Sequence, residues 1–441
     1  MAGLFQVFFW LSRDNLVTLN ENSFEKIESL SYSPFEGYDK NLLSSEQIAY
    51  DVNLFENFTN KLRTYGTLEA YKILQSSKDS NLPIDLGLWI GGDLEANNLE
   101  IQRALEILKE YPNRIQSVIV GNEVLLRKEL EPLELYAYID FMKSHTKKPV
   151  TTAETWDIWE KNPQLASHVD FLTIHILPYW EKVPIERYNE FIIEKYSVVE
   201  ELFPNRKIVI GETGWPSHGY NNNSAIPSIK NQAQAIRGFV NLAHEKGWHY
   251  NIIEALDQPW KGYDEGNVGQ YWGIFTTDRA LKFQLAGEVE LNKYWLYQMI
   301  AAIIIGALLT LFGLKNQRVN ISHAFAYAIA AQGMAFGIVM AAIYPFVNYM
   351  NFGMWIMWGM GSFLMIPLVI ITLAKANELF RSSIGVQPSR LVPLDLKSKN
   401  APLVSIHVPA YKEQPHVLAE TLESLSKLTY PNFEVLVIIN N

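Results

Sequence analysis

At 441 residues the chain exceeds one ordinary domain, and its net charge of −10 argues against a nucleic-acid-binding surface. Cysteine is absent, which removes any disulfide framework and any thiolate metal site. Apolar residues make up 48% of the chain but are unevenly spread: residues 294–373 are nearly free of charge.

Residues 1–23 begin with an apolar stub, Met1 to Leu11, followed by a polar stretch from Ser12 to Asn22. The stub is too short to span a bilayer and lacks a basic leading region. It reads either as the remnant of a signal-anchor or as a tail that packs on the next domain.

From 24 to 290 strand-like and helix-like patterns alternate. Short Val/Ile-rich runs at 27–34, 61–66, 84–90, 115–121, 149–153, 169–175, 207–211 and 251–256 read as buried strands. Amphipathic stretches at 45–58, 68–77, 99–110, 132–145, 185–202 and 229–246 read as helices. Eight such units predict an α/β fold, a (β/α)8 TIM barrel. The competing doubly wound sheet normally carries a Gly-rich loop after its first strand. Here that place is taken by Ser31-Tyr32-Ser33-Pro34-Phe35, which favours the barrel.

Residues 291–375 hold three apolar segments, at about 294–314, 324–344 and 355–373, each close to the roughly 20 residues that cross a hydrocarbon core. They predict three transmembrane helices. Lys315 and Arg318 lie between the first two, no basic residue lies in the second connection, and Lys375, Arg381, Arg390, Lys397 and Lys399 follow the third. The positive-inside rule then puts the tail in the cytoplasm and the barrel outside, in the periplasm of a multi-pass inner-membrane protein. Residues 376–400 read as a cytoplasmic linker. Residues 401–441 read as one βαβ unit, too little to bury a core alone, and look like the opening of a truncated Rossmann-like domain.

Two carboxylates carry the chemistry. Glu123 ends Val120-Gly121-Asn122-Glu123 and Glu212 opens Glu212-Thr213-Gly214-Trp215-Pro216, each just past a predicted strand, the fourth and the seventh. In a barrel, strand ends converge on the face that holds the active site. Cleaving or transferring a glycosidic bond needs a proton donor and a nucleophile or base, which two carboxyl groups supply. Tyr32, Tyr65, Trp89, His175, Tyr179, Trp215 and Trp260 fall at or near strand ends, where rings stack on sugars or pack as core. Glu254 and Lys261 bring hydrogen-bonding groups to the eighth strand end. Nine histidines show no metal-ligand spacing, so neither metal nor cofactor is expected.

These motifs resemble glycoside hydrolase family 17, the β-1,3-glucanase and glucanosyltransferase family, over about residues 24–285. The resemblance rests on 120–123, on Gly211-Glu212-Thr213-Gly214-Trp215-Pro216-Ser217, on Arg63-Thr64-Tyr65-Gly66 and on 254–261. It implies that Glu123 is the general acid/base, with a raised pKa, and Glu212 the nucleophile of a retaining double displacement. It also implies that Asn122 binds the sugar 2-hydroxyl and that the partner is a β-glucan. The stretch 403–413 resembles the opening of a family 2 glycosyltransferase, which implies a truncated GT-A fragment, and such fusions imply a lipid bilayer and other glucan-synthesis components as further partners. The competing expectation is an inactive glucan-binding anchor, or a fragment of a glycosyltransferase-type synthase.

Overall fold

The structure is a computed structural model that describes residues 2–13, 16–19, 26–386 and 401–439. Residues 20–25, at the expected junction of stub and barrel, and 387–400, most of the expected linker with Arg390, Lys397 and Lys399, lie outside the described residues.

Eight parallel strands close into a barrel. They are β1 (Leu30–Ser31), β2 (Leu62–Arg63), β3 (Ile84–Leu88), β4 (Ile115–Asn122), β5 (Val150–Thr155), β6 (Leu172–His175), β7 (Ile208–Thr213) and β8 (His249–Ile252). Neighbours in sequence are neighbours in space, and Ile252 opposite Leu30 closes the ring. This is the expected (β/α)8 architecture. The strands are mostly buried, with aliphatic residues such as Leu172, Ile174, Ile208 and Ile210 in the core and Gln116 and His249 exposed. The intervening polar residues meet across strands: Ser117 Oγ donates to Asp85 Oδ1 at 2.6 Å, and Asn251 Nδ2 donates to Ser31 Oγ at 2.7 Å.

Two irregularities matter for the site. The β4–β5 pairing shifts register between Ile119 and Asn122, and the β7–β6 pairing shifts between Ile210 and Glu212. A bulge breaks the strict alternation of a strand and re-aims the side chain that follows. Both fall immediately before or at a glutamate singled out from the sequence.

Element boundaries follow local chemistry. The helix expected at 99–110 starts at Leu94, because Asp93 caps it by accepting from Glu95 N and Ala96 N. The last strand starts at His249 and stops at Ile252, earlier than the expected 251–256, because His249 pairs in register with Val209. An antiparallel ribbon, Leu16–Thr18 against Glu288–Glu290, joins the chain entering the barrel to the chain leaving it.

Contacts divide the chain into two units, one comprising 1–309 with 331–370 and the other 310–330 with 371–441. Among the described residues, three helices are long and apolar enough to cross a membrane: Trp295–Leu314, Ile321–Val347 and Phe352–Ile384. They suggest membrane association. The third runs on past the expected 373, through Ala, Lys, Glu and Leu residues that favour helix, with Lys375 paired to Glu378 at 2.9 Å. In the first unit the stub forms a helix, Ala2–Leu11, that packs on these apolar helices. Gln6 Nε2 donates to Gln332 O at 2.6 Å, Trp10 Nε1 donates to Gln6 Oε1 at 3.2 Å, and Trp10 packs with Ala302 and Val339. In the second unit the tail forms two parallel strands, Val404–Ala410 and Phe433–Ile439, linked by the helix Pro415–Ser426.

Candidate active site

The ends of β2, β4, β6 and β7 bring Arg63, Glu123, His175 and Glu212 together. One carboxylate oxygen each from Glu123 and Glu212 and a His175 ring nitrogen all lie within 4.8 Å of one another. His175 Nδ1 is 2.7 Å from Glu123 Oε1, and its Nε2 is 3.6 Å from Glu212 Oε1. Arg63, almost wholly buried, ties the group down. It donates through Nη1 to Gly211 O at 2.5 Å and through Nη2 to Asn122 Oδ1 at 2.7 Å. The same Nη1 lies 3.5 Å from Glu212 Oε1 and 3.2 Å from His175 Nε2.

Two glycines make room for this cluster. A Cβ at Gly211 would stand 2.4 Å from Thr173 Cγ2 and 3.1 Å from Arg63 Nη1, so the guanidinium reaches the strand only over a glycine. Gly121 has φ +81°, and a Cβ there would meet Val124 Cγ2 at 2.5 Å. Glu123 itself has φ +55°, in the left-handed region that non-glycine residues rarely adopt. Its backbone is held there by Glu123 N donating to Ala153 O at 2.7 Å.

Electrostatics separate the carboxyl groups. Burial pushes Glu123 up, but the His175 hydrogen bond and charge, with Arg127 and Arg63, carry it below its ordinary value. The expectation of a raised Glu123 therefore does not hold in this geometry, because cationic partners outweigh desolvation. Burial raises Glu265 to about 7, opposed by Lys261 and assisted by Glu254, Glu212 and Glu123. Glu254, fully buried, is also raised by desolvation, although Lys261 Nζ donates to its Oε2 at 2.6 Å. The spacing of Glu123, His175 and Glu212 would admit a cation, but the Arg63 guanidinium already supplies positive charge among these donors.

A cavity of about 490 Å³ opens onto the two glutamates. Of the residues singled out from the sequence, Tyr65, Trp89, Asn122, Trp260 and Lys261 line it beside Glu123 and Glu212. His175 and Glu254 are buried behind it, the first against both glutamates and the second under Lys261. Tyr32, Tyr179 and Trp215 are completely buried and do not line it. Tyr32 donates to Asp51 Oδ2 at 2.9 Å and packs on Phe55. Tyr179 donates to Tyr220 O at 2.6 Å and meets Trp215 edge-on at 5.8 Å, while Trp215 Nε1 donates to Ile226 O at 3.0 Å. These three rings are core and loop supports, because the strand ends turn them away from the mouth.

Other residues of the site carry no role legible in the sequence. Arg63 belongs to the Arg63-Thr64-Tyr65-Gly66 motif, which gives no sign of its contacts with Gly211 and Asn122. Arg127 follows Glu123 by one helical turn, donates to Asn122 O, and stacks its guanidinium 4.4 Å over Trp89. Phe35 and Lys40 come from a small hairpin after β1, with Lys40 Nζ 4.2 Å over the Trp260 ring. Of these, only the position of Arg127 beside the Asn-Glu pair was a signal that could have been read.

Residues 29–273, more than half of the chain, match the BtgE/BtgC glycoside hydrolase domain. The chain belongs to that family. Among its relatives, a glucan 1,3-β-glucosidase of Schizosaccharomyces pombe is 27% identical, over 53% of this chain and 79% of its own length. A glucan 1,3-β-glucosidase of Saccharomyces cerevisiae is 24% identical, over 55% of this chain and 85% of its own. Other relatives are longer, and the chain spans 40% of the Aspergillus niger relative btgC. Among solved structures, an active-site mutant of Rhizomucor miehei β-1,3-glucanosyltransferase in complex with laminaritriose superposes with a TM-score of 0.53. It is 25% identical, and the match covers 58% of this chain and 95% of that one. The β2, β4, β6 and β7 cluster is thus the candidate active site of a glycoside hydrolase of family 17 type.

Proposed function

We propose that the protein is a membrane-anchored, retaining β-1,3-glucan-active enzyme. The carrying observation is the approach of a Glu123 and a Glu212 carboxylate oxygen to within 4.8 Å. Retaining enzymes hold their carboxyl groups about 5–5.5 Å apart, whereas inverting enzymes leave about 6.5–9.5 Å for a water. The separation therefore favours direct attack by one carboxylate.

In the proposed reaction Glu212 attacks the anomeric carbon while Glu123 protonates the departing glycosidic oxygen. The glycosidic C–O bond breaks as the Glu212–sugar ester bond forms. Glu123, now a carboxylate, takes a proton from water or from an acceptor glucan hydroxyl, and that oxygen displaces Glu212. Water gives hydrolysis and a glucan hydroxyl gives transfer. Arg63 and His175 hold both carboxylates in place, and Arg63 orients Asn122 by occupying its Oδ1, so that Nδ2 is the end offered to a sugar hydroxyl. Tyr65, Trp89, Trp260 and Lys261 supply the rings and charge that line the glucan cavity.

The family relationship, with a glucosidase and a laminaritriose-bound transferase among its similar proteins, supports β-1,3-glucan as the substrate class. We further propose that the three apolar helices cross a lipid bilayer with Lys315, Arg318, Lys375 and Arg381 on the cytoplasmic side, which puts the barrel outside, in the periplasm. The tail's parallel βαβ unit supports its reading as the opening of a family 2 glycosyltransferase.

Incubating the full chain in detergent with laminari-oligosaccharides and resolving the products tests this reading. Shorter products indicate hydrolysis and longer ones transfer. An unchanged substrate would favour a silent glucan-binding anchor instead.

A further inference from the structure

One buried acid near the site has no part in the reaction above. Glu154, the fifth residue of β5, is wholly buried. Its Oε1 accepts from Leu125 N at 2.7 Å and its Oε2 from Leu126 N at 3.3 Å. Both amides belong to the turn that begins directly after Glu123. The preceding residue, Ala153, accepts Glu123 N at 2.7 Å. Two successive residues of β5 thus grip residues 123, 125 and 126 of a turn whose first member has a left-handed backbone.

Such a backbone persists only where its surroundings over-determine it. A carboxylate is also a costly group to bury for packing alone, since an apolar side chain would fill the space without desolvating a charge. Burial raises Glu154 to about 7, opposed by the two amides, with Glu123 adding to the rise and Arg127 opposing it. The turn amides are the ligands that the acid is built to hold.

We propose that Glu154 is a positioning residue for the proton donor: by binding Leu125 N and Leu126 N it fixes the turn that aims Glu123 at the leaving oxygen. The inference rests on the assignment of Glu123 as acid/base. It predicts a defect confined to the step that needs the proton.

The test compares two substrates on the full chain in detergent, with folding followed by near-ultraviolet circular dichroism. Laminaritetraose has a leaving group that needs protonation, whereas 2,4-dinitrophenyl β-laminaribioside has one that departs unaided. Glu154→Ala should lower kcat on the tetraose about 100-fold with KM changed less than about threefold, the scale of lost general-acid catalysis. First-turnover dinitrophenolate release should stay within about threefold of the parent, since it does not draw on Glu123 as acid. Glu154→Gln keeps one acceptor oxygen and should recover about tenfold of the loss, and it carries the same comparison if the alanine variant fails to fold. Equal slowing of both substrates, or glutamine and alanine variants that match the parent on the tetraose, would overturn the proposal. A parent protein that turns over neither substrate would instead overturn the enzymatic reading on which it rests.

Discussion

His175 holds Glu123 directly, its Nδ1 2.7 Å from Glu123 Oε1, and it does so from a ring that is itself wholly enclosed. Burial pushes the Glu123 carboxyl up, and the His175 hydrogen bond and charge are the largest influences pulling it down. A general acid must be protonated to work, so a depressed pKa moves the working range of the enzyme to acid pH. Activity on laminari-oligosaccharides should fall as pH rises through the Glu123 pKa. Replacing His175 with Asn removes the largest downward pull and leaves desolvation opposed by Arg127 and Arg63, so the basic limb of kcat/KM should move to higher pH. A limb that stays put or moves acid-ward, measured by steady-state kinetics across pH, would contradict this assignment.

Arg63 is the hub. It bonds Gly211 O and Asn122 Oδ1 and faces Glu212 and His175, with almost no exposure to water. Removing one partner of a buried ion pair leaves an uncompensated charge and costs about 3–5 kcal/mol. Arg63→Met should therefore lower thermal stability by that order and abolish turnover. Arg63→Lys, lacking the planar fork, should not rescue activity. Calorimetry beside a glucanase assay checks both, and a stable, active Lys variant would refute the hub role.

Gly211 tests whether the packing around that hub is as tight as the geometry says. An alanine methyl would overlap Thr173 Cγ2 at 2.4 Å and press on the guanidinium at 3.1 Å. Overpacking a core position typically costs about 1–3 kcal/mol. Gly211→Ala should show that loss together with reduced kcat, because the displaced group orients Glu212 and Asn122. Unchanged melting and activity would mean that the strand has room to spare.

Membrane attachment has its own readout. If the three apolar helices, of mean hydropathy 1.7 to 2.1, are inserted as proposed, the full chain should remain in the pellet after alkaline carbonate extraction of membranes and enter solution only with detergent. Recovery in the carbonate supernatant would rule out insertion.

Much of this architecture was legible in the sequence because its signals are local. Short Val/Ile runs and amphipathic intervals name the barrel, and long charge-free runs name the apolar helices. Glu123 and Glu212 were legible for the same reason, each lying at a strand end within its own motif. What escaped depends on partners remote in sequence. Arg63 meets residues from β4, β6 and β7, and Glu154 supports a turn some thirty positions upstream. Side-chain direction just past strand ends is also illegible, because the chain there has left the period of two, so Tyr32, Tyr179 and Trp215 read as groove rings although they are buried. Likewise, composition showed that the N-terminal stub is apolar, but not that Gln6 bonds Gln332. The depressed Glu123 follows from charges that converge only in the fold.

The central claim, that Glu212 is the nucleophile of a retaining reaction, is tested most directly by trapping. The full chain treated with 2-deoxy-2-fluoro-β-laminaribiosyl fluoride should gain one fluoroglycosyl group, and peptide mapping by mass spectrometry should place it on Glu212. A label on any other residue, or an unlabelled protein that releases a product of inverted anomeric configuration, would contradict it.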